Sequence, residues 1–415
     1  MSYPVKLQIV TARNSLESPD GRNLNGGRTR ARPRPADRRQ HLIEVAARAF
    51  SDAGYHAVRL DDIAEAAGIS APALYRHFPN KYALFAEATA ALATRLAAAS
   101  AGVDVEDGNP RAELSALLTA MSAAAIENRR TGGLYLWESR YLVGSDAEFV
   151  RSVVIGQHRR LRSAITRSRP DIGKPDADLL AAAMTSVVAS AATHRASLPA
   201  RPAHTLLRDA ALSILDLDLG ATDDQTTTVS GGLAPTSRRE TILTESTTLF
   251  AARGFHNVTI DDIGQASGIP ASGVYRHFPS KVAILEAAFW RASDRTTSTI
   301  TDALAASRTP TEAVRHLVRR YTELCCSATD LITVYLAEVG HLGASARTAL
   351  RRQQRLNVEE WATWVCRARP GLSPTAARFL VHAELATVAD LVRSSHPSPP
   401  ERIDAIGRRI LLAEN

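Results

Sequence analysis

A chain of 415 residues, 45% apolar and 22% charged, is longer than one ordinary domain and too rich in core-forming side chains for wholesale disorder. Its three cysteines, Cys325, Cys326 and Cys366, make no disulfide framework, which points to a reducing cytosol, and no apolar run reaches the roughly 18–20 residues of a membrane span. The net charge of +7 is concentrated, with seven arginines and a single acid, Asp37, between Arg22 and Arg39, so the rest of the chain is almost neutral.

Residues 1–36 carry scattered prolines and glycines without a sustained period and read as a disordered basic arm. A helix is predicted over Asp37–Ala53, where Leu42, Val45, Ala46, Ala49, Phe50 and Ala53 recur at helical spacing, and Gly54 ends it. Next come a short helix over Asp61–Ala67, a turn at Gly68 and a second short helix over Ala71–Phe78. The carboxylates of Asp61 and Asp62 suit a helix start, and Ala64 stays small where the second helix crosses. Two short helices joined by a glycine turn are a helix-turn-helix, with Ile63, Ile69, Leu74 and Phe78 as its core. A longer helix runs from Lys81 to about Ala99, and helical runs follow over Glu113–Asn128, Gly133–Leu142, Ala147–Arg169, Asp176–Ser197 and Ala203–Leu217. No strand pattern of period two competes, so the expected fold is all-α.

Residues 218–236 lose the period and read as a linker, after which the series returns at an offset of 200 residues. Gly54–Lys81 and Gly254–Lys281 are identical at 16 of 28 positions without a gap, which is an internal duplication. Tyr135-Leu136-x-Glu138 returns as Tyr335-Leu336-x-Glu338, and Arg167-x-Arg169-Pro170 as Arg367-x-Arg369-Pro370, so whole units are duplicated. The scheme is a basic arm (1–36), a first head (37–84) and body (85–217), the linker (218–236), and a second head (237–284) and body (285–415). The heads are far more alike than the bodies, so the heads answer to a shared demand.

Gly68-Ile69-Ser70, Leu74-Tyr75, His77-Phe78 and Lys81 together resemble the N-terminal signature of TetR-type transcriptional repressors. Gly268–Lys281 fits the same signature with Pro270 in the usual serine or threonine place. The resemblance implies three DNA-binding helices per unit, a helical body with a ligand pocket, and a dimer with two heads in successive major grooves. Two units in one chain then imply an intramolecular pseudo-dimer, with a four-helix interface built from about 176–217 and 375–413; further pairing of two chains stays open. A narrower similarity is to the tandem repressors of actinobacterial lipid-import (mammalian-cell-entry) operons.

The resemblance puts Ser70, Ala71, Pro72 and Ala73 at bases, and Tyr75, His77 and Lys81 at phosphates; Arg76, repeated in both copies, reaches phosphate or guanine, with phosphate favoured. Core packing is the competing reading for Tyr75. The second head offers Pro270, Ala271, Ser272, Gly273, Tyr275, Arg276, His277 and Lys281. Arg59 and Thr259 flank the first short helix of each motif, and Thr259 also suits a helix cap. Arg30, Arg32 and Arg34 of the arm are expected along phosphates or in the minor groove. Arg, Asn and Gln are missing from both helix tips, so direct base readout is modest and phosphate contact carries much of the affinity.

Candidate pocket residues are Met121, Tyr135, Trp137, Tyr141 and Met184 in the first body, and Tyr321, Cys325, Tyr335, Trp361 and Trp364 in the second. Each of these residue types is more often plain core than pocket lining. An apolar effector (a lipid, an acyl-CoA thioester or a steroid) is the expected signal, with double-stranded DNA as partner. No nucleophile elbow, glycine-rich phosphate loop or metal cluster is present, so neither enzyme activity, cofactor nor metal is expected. The competing function is an effector-independent protein that bridges or bends DNA.

Overall fold

The computed structural model describes residues 35–103, 108–136, 138–220, 236–394 and 398–413. The basic arm with Arg30, Arg32 and Arg34, most of the linker and Trp137 lie outside the described residues. The first unit runs α1 (Pro35–Ala53), α2 (Leu60–Ala66), α3 (Ala71–Tyr75), α4 (Lys81–Ala101), α5 (Pro110–Glu127), α6 (Gly132–Leu136), α7 (Gly144–Ser168), α8 (Lys174–Ala189) and α9 (Ala200–Ser213). The second repeats it as α10 (Arg238–Arg253), α11 (Ile260–Ala266), α12 (Ala271–Tyr275), α13 (Lys281–Ala305), α14 (Pro310–Ser327), α15 (Thr329–Ala337), α16 (Ala344–Ala368), α17 (Pro374–Val392) and α18 (Pro400–Leu412). The fold is all-α, and the described residues contain no strand.

Helix starts follow local chemistry. Asn109 accepts from the amides of Arg111 and Ala112, with Pro110 at the first position of α5. Thr309 and Glu312 form a reciprocal capping box at the start of α14. Long helices end earlier than their periodicity implies: α8 stops at Ala189 and tightens into a 3-10 turn over Ser190–Ala192, and α9 stops at Ser213 before a similar turn. The run expected over Gly133–Leu142 is split into α6 and a 3-10 turn over Glu138–Tyr141.

Three apolar cores hold the molecule. The first head core includes Leu42, Phe50, Ile63, Leu74, Phe78 and Phe85, together with Leu134, Leu142 and Val150 from beyond residue 84. The second is its counterpart, built on Ile242, Phe250, Ile263, Val274, Phe278 and Phe289. A boundary at 84/85 therefore cuts through the head core, because the first half of α4 packs on the helix-turn-helix. The third core is shared: residues from α5, α8 and α9 and from α14, α17 and α18 form one continuous apolar cluster. The two bodies thus bury their surfaces against each other rather than separately, since α8 lies on α17 and α9 on both α17 and α18.

Polar contacts between the halves surround that core. Ser186 donates to Asp390 at 2.9 Å, and Arg409 Nε donates to the Ser213 carbonyl at 2.7 Å. Arg402, nearly closed to solvent, donates to Asp176 at 2.8 Å and to the carbonyls of Leu219 and Gly220. The rings of His194 and His382 stack at 4.1 Å, and burial, then neighbouring positive charge, holds them down to about 2 and about 4. The repeated Arg-Pro motif also finds its reason here. Arg169 donates to the Leu215 carbonyl at 2.7 Å and Arg369 to that of Leu411 at 3.0 Å, so each staples the end of α7 or α16 to the last turn of its unit.

Candidate nucleic-acid interface

Each head is a helix-turn-helix closed by the same contacts. Gly68 and Gly268 take φ of +68° and +67°, a conformation that side chains resist, and this lets the Ile69 and Ile269 amides return to the carbonyls of residues 64 and 264. A Cβ at Gly264 would meet the Ile269 carbonyl oxygen at 2.7 Å, which explains the small residue there. Thr259 accepts from the Asp262 amide at 3.1 Å and caps α11, so its hydroxyl is occupied. Arg59, at the corresponding position, is exposed and lies 3.5 Å from Asp61.

The second short helix ends sooner than Phe78. In both heads it spans five residues, and the reason is local. Arg39 donates to the His77 carbonyl at 2.7 Å and stacks on Phe78; Arg239 donates to that of His277 at 3.2 Å and stacks on Phe278. The following Pro79 and Pro279 disfavour helix at Phe78 and Phe278. Arg39 closes the run of seven arginines that concentrates the charge, yet its guanidinium is committed to this carbonyl and to Glu87. The paired offset of Arg39 and Arg239 was the available signal.

Tyr75 and Tyr275 are 52% and 54% exposed, which removes the core reading for both. Ser70, Pro72, Arg76, Pro270, Ser272, Arg276 and His277 are also exposed, while Ala71, Ala73, His77, Ala271 and Gly273 are half-buried beside them. The lysines differ from expectation. Lys81 Nζ donates to the carbonyls of His56 and Val58 at 3.2 and 2.9 Å over the Tyr55 ring. Lys281 Nζ does the same to Phe255 and Val258 at 2.7 and 2.6 Å over Phe255. Their ammonium groups close the turn between the first two head helices instead of facing outward, because two carbonyls of each turn and an aromatic face converge on the ammonium.

Each head hangs on its body by a buried carboxylate. Glu138 accepts from the Tyr55 amide at 2.6 Å and Glu338 from the Phe255 amide at 3.3 Å, which accounts for the repeated Tyr-Leu-x-Glu motif.

A family model described as bacterial regulatory proteins, tetR family, matches twice, at residues 42–88 and 242–288, over the two heads just described. Both heads are of the TetR type. The chain is similar to the HTH-type transcriptional activator FasR of Mycolicibacterium smegmatis, at 41% identity over 17% of this chain and 33% of that protein. It is also similar to the HTH-type transcriptional repressor KstR2 of Rhodococcus jostii, at 26% identity over 42% of this chain and 87% of that protein. The solved ketosteroid transcriptional regulator KstR2 of Mycobacterium tuberculosis is 21% identical, with 43% of this chain and 95% of that one covered and a TM-score of 0.38. The chain thus spans about a third of the length of FasR.

The candidate pocket residues are not gathered into one cavity. Met121, Met184, Tyr321, Cys325 and Trp361 are buried in the shared core, and Trp364 lies at its edge, donating to Glu360 at 2.9 Å. Tyr135, Tyr141 and Tyr335 pack instead on the head cores, and burial pushes each phenol up to about 12. Two open surface grooves, of about 410 and 800 Å³, lie along α13 with Leu324 of α14 and between α13 and α16; none of the candidates lines either. Among the described residues no group of three or more His, Cys, Asp or Glu is placed to hold a metal, and no helix is long and apolar enough to cross a membrane.

Proposed function

We propose that this chain is a repressor whose two unlike heads, held in one polypeptide as a pseudo-dimer, read an operator with unequal half-sites. One observation carries the reading. The two heads present the same Tyr-Arg-His-Phe ends but different tips, Ser70-Ala71-Pro72-Ala73 against Pro270-Ala271-Ser272-Gly273. Identical ends favour common phosphate contacts by Tyr75, Arg76, His77 and their counterparts, whereas differing tips favour differing bases. A homodimer is bound to a symmetric operator, and this chain is not.

Selecting sites from a random duplex library with the whole chain is expected to return a pseudo-palindrome whose halves differ. Exchanging the tips (S70P, P72S, A73G with P270S, S272P, G273A) is expected to reverse the preferred orientation. Changing the tip of one head alone (S70P, P72S, A73G) instead mismatches one half-site; each mismatched position costs about 1–3 kcal/mol, so the original site then weakens roughly ten- to hundredfold. Equal affinity for a perfect palindrome and the selected site would sink the reading.

The release signal in this proposal is a small apolar effector (a lipid, acyl-CoA thioester or steroid) that binds the bodies more tightly when the heads are out of register. The aromatic side chains of both bodies, the thioethers of Met121 and Met184 in the first, and the divergence of the bodies relative to the heads support it. One observation favours the effector-independent alternative: Met184, Cys325 and Trp361 are closed within a core that both halves share. Thermal-shift and gel-shift screening with these three compound classes separates the two. Release of bound DNA by any of them carries the first, and binding untouched by all of them carries the second.

A further inference from the structure

The two heads meet directly. His56 and His256, at matching positions in the turns after α1 and α10, lie with ring centroids 3.9 Å apart. His256 packs on His341 at 4.3 Å, and His56 on Tyr141 at 4.6 Å. Beneath this contact lie the two anchoring carboxylates, and a single residue ties them together. Arg140, from the turn that carries Glu138, reaches into the other half. It donates from one guanidinium nitrogen to Glu338 Oε1 at 2.9 Å, and from another to Glu338 Oε2 at 3.2 Å and to the Ala337 carbonyl at 2.9 Å. The Tyr141 hydroxyl holds that second nitrogen at 2.7 Å. This is a forked pair onto a carboxylate whose side chain is 1% exposed.

The bridge is one-sided. The residue 200 positions after Arg140 is Gly340, which returns nothing to Glu138. The electrostatics follow. At Glu338 burial opposes ionisation, but His341, Arg140 and the Phe255 amide outweigh it and hold the carboxyl below its ordinary value. At Glu138 burial prevails over the Tyr55 amide and the more distant Arg140, and the carboxyl is raised. A symmetric dimer has to place the same residue on both sides of its axis; a single chain can use one.

We propose that Arg140 is a positioning residue for DNA recognition: by tying the anchor of one head to the anchor of the other, it sets the spacing between half-sites that the chain accepts. Glu138 and Glu338 each hold a head by its first turn, so a rigid link between their turns makes the two heads one body. Inserting one base pair moves a half-site by about 3.4 Å along the axis and turns it by about a tenth of a helical turn. A forked pair with fixed distances does not absorb such a displacement, whereas heads linked only by histidine stacking and their own bodies do.

The inference rests on the reading of the chain as a two-headed operator binder, and its test separates the two. The probe is a duplex selected from a random library by the whole wild-type chain, remade with its spacer changed by one or two base pairs in either direction. The wild-type chain is expected to bind one spacing at least tenfold better than its neighbours. Arg140→Ala is expected to lose severalfold at the best spacing and to flatten the profile, while Arg140→Lys, with one cationic donor, lies between. Arg140→Gln keeps a donor toward Ala337 without the forked pair, and carries the test where Arg140→Ala does not fold. A uniform loss at all spacings, with the profile unchanged in the variants, overturns the proposal and leaves the operator reading standing. A wild-type chain that selects no site overturns both.

Discussion

Arg402→Ala is expected to destabilise the chain by about 3–5 kcal/mol, the range for removing one partner of a buried pair. Arg402 belongs to α18 of the second half, yet every partner named for it belongs to the first: the Asp176 carboxylate and the carbonyls of Leu219 and Gly220. Truncation leaves these acceptors facing a 7%-exposed site with no donor, and an uncompensated carboxylate is the larger part of the penalty. Because the body core is continuous across the halves, the loss falls on the whole structure and not on one unit. Urea denaturation followed by circular dichroism gives the difference in midpoint. A loss under about 1 kcal/mol means that Arg402 decorates the interface without holding it.

Glu384→Met is expected to do the reverse, stabilising by about 1–3 kcal/mol, the penalty of a buried polar group without a partner. Glu384 is fully buried in α17, and neither carboxyl oxygen has a hydrogen-bond partner among the described residues. The residue at the same position of the first unit is Met184, also fully buried, so a thioether of similar length already serves this environment once. Burial first, and Asp404 second, raise the Glu384 carboxyl well above its usual value. The sign with pH follows. The folded state keeps the proton while the unfolded chain releases it above about 4.5, so the carboxyl weakens the fold increasingly as pH rises through and beyond that value. The gain from methionine is therefore larger at pH 8 than at pH 5. Melting curves at the two values test it, and an equal gain at both means that the side chain finds a partner when folded.

The heads were legible in the residues because their contacts are local. The capping of α11 by Thr259, the left-handed Gly68 and Gly268, and the small residue at 64 and 264 are settled within about ten positions of chain. Tyr75 was ambiguous in sequence, since an aromatic at helical spacing serves a core or a surface equally, and only its exposure decides. The inward turn of the lysines at 81 and 281 was hidden for a related reason. A cation after a recognition helix reads as a phosphate ligand, but the carbonyls it meets belong to a turn 23 to 26 residues earlier. The pocket candidates were the least legible: large apolar side chains are chosen for burial, and burial alone does not say whether a neighbour is protein or ligand.

By itself the sequence determined the duplication, the all-α class, the position of both helix-turn-helix motifs and the difference between their tips, because period, capping and turn chemistry act over a few residues. Tertiary structure alone decided how the halves join. The shared core, the Arg402 site and the reach of Arg140 to Glu338 link residues roughly 200 positions apart, where no periodicity or spacing operates. Repetition even concealed the last of these. The duplicated Tyr-Leu-x-Glu motif implies two equivalent anchors, and the one arginine that couples them has glycine as its counterpart.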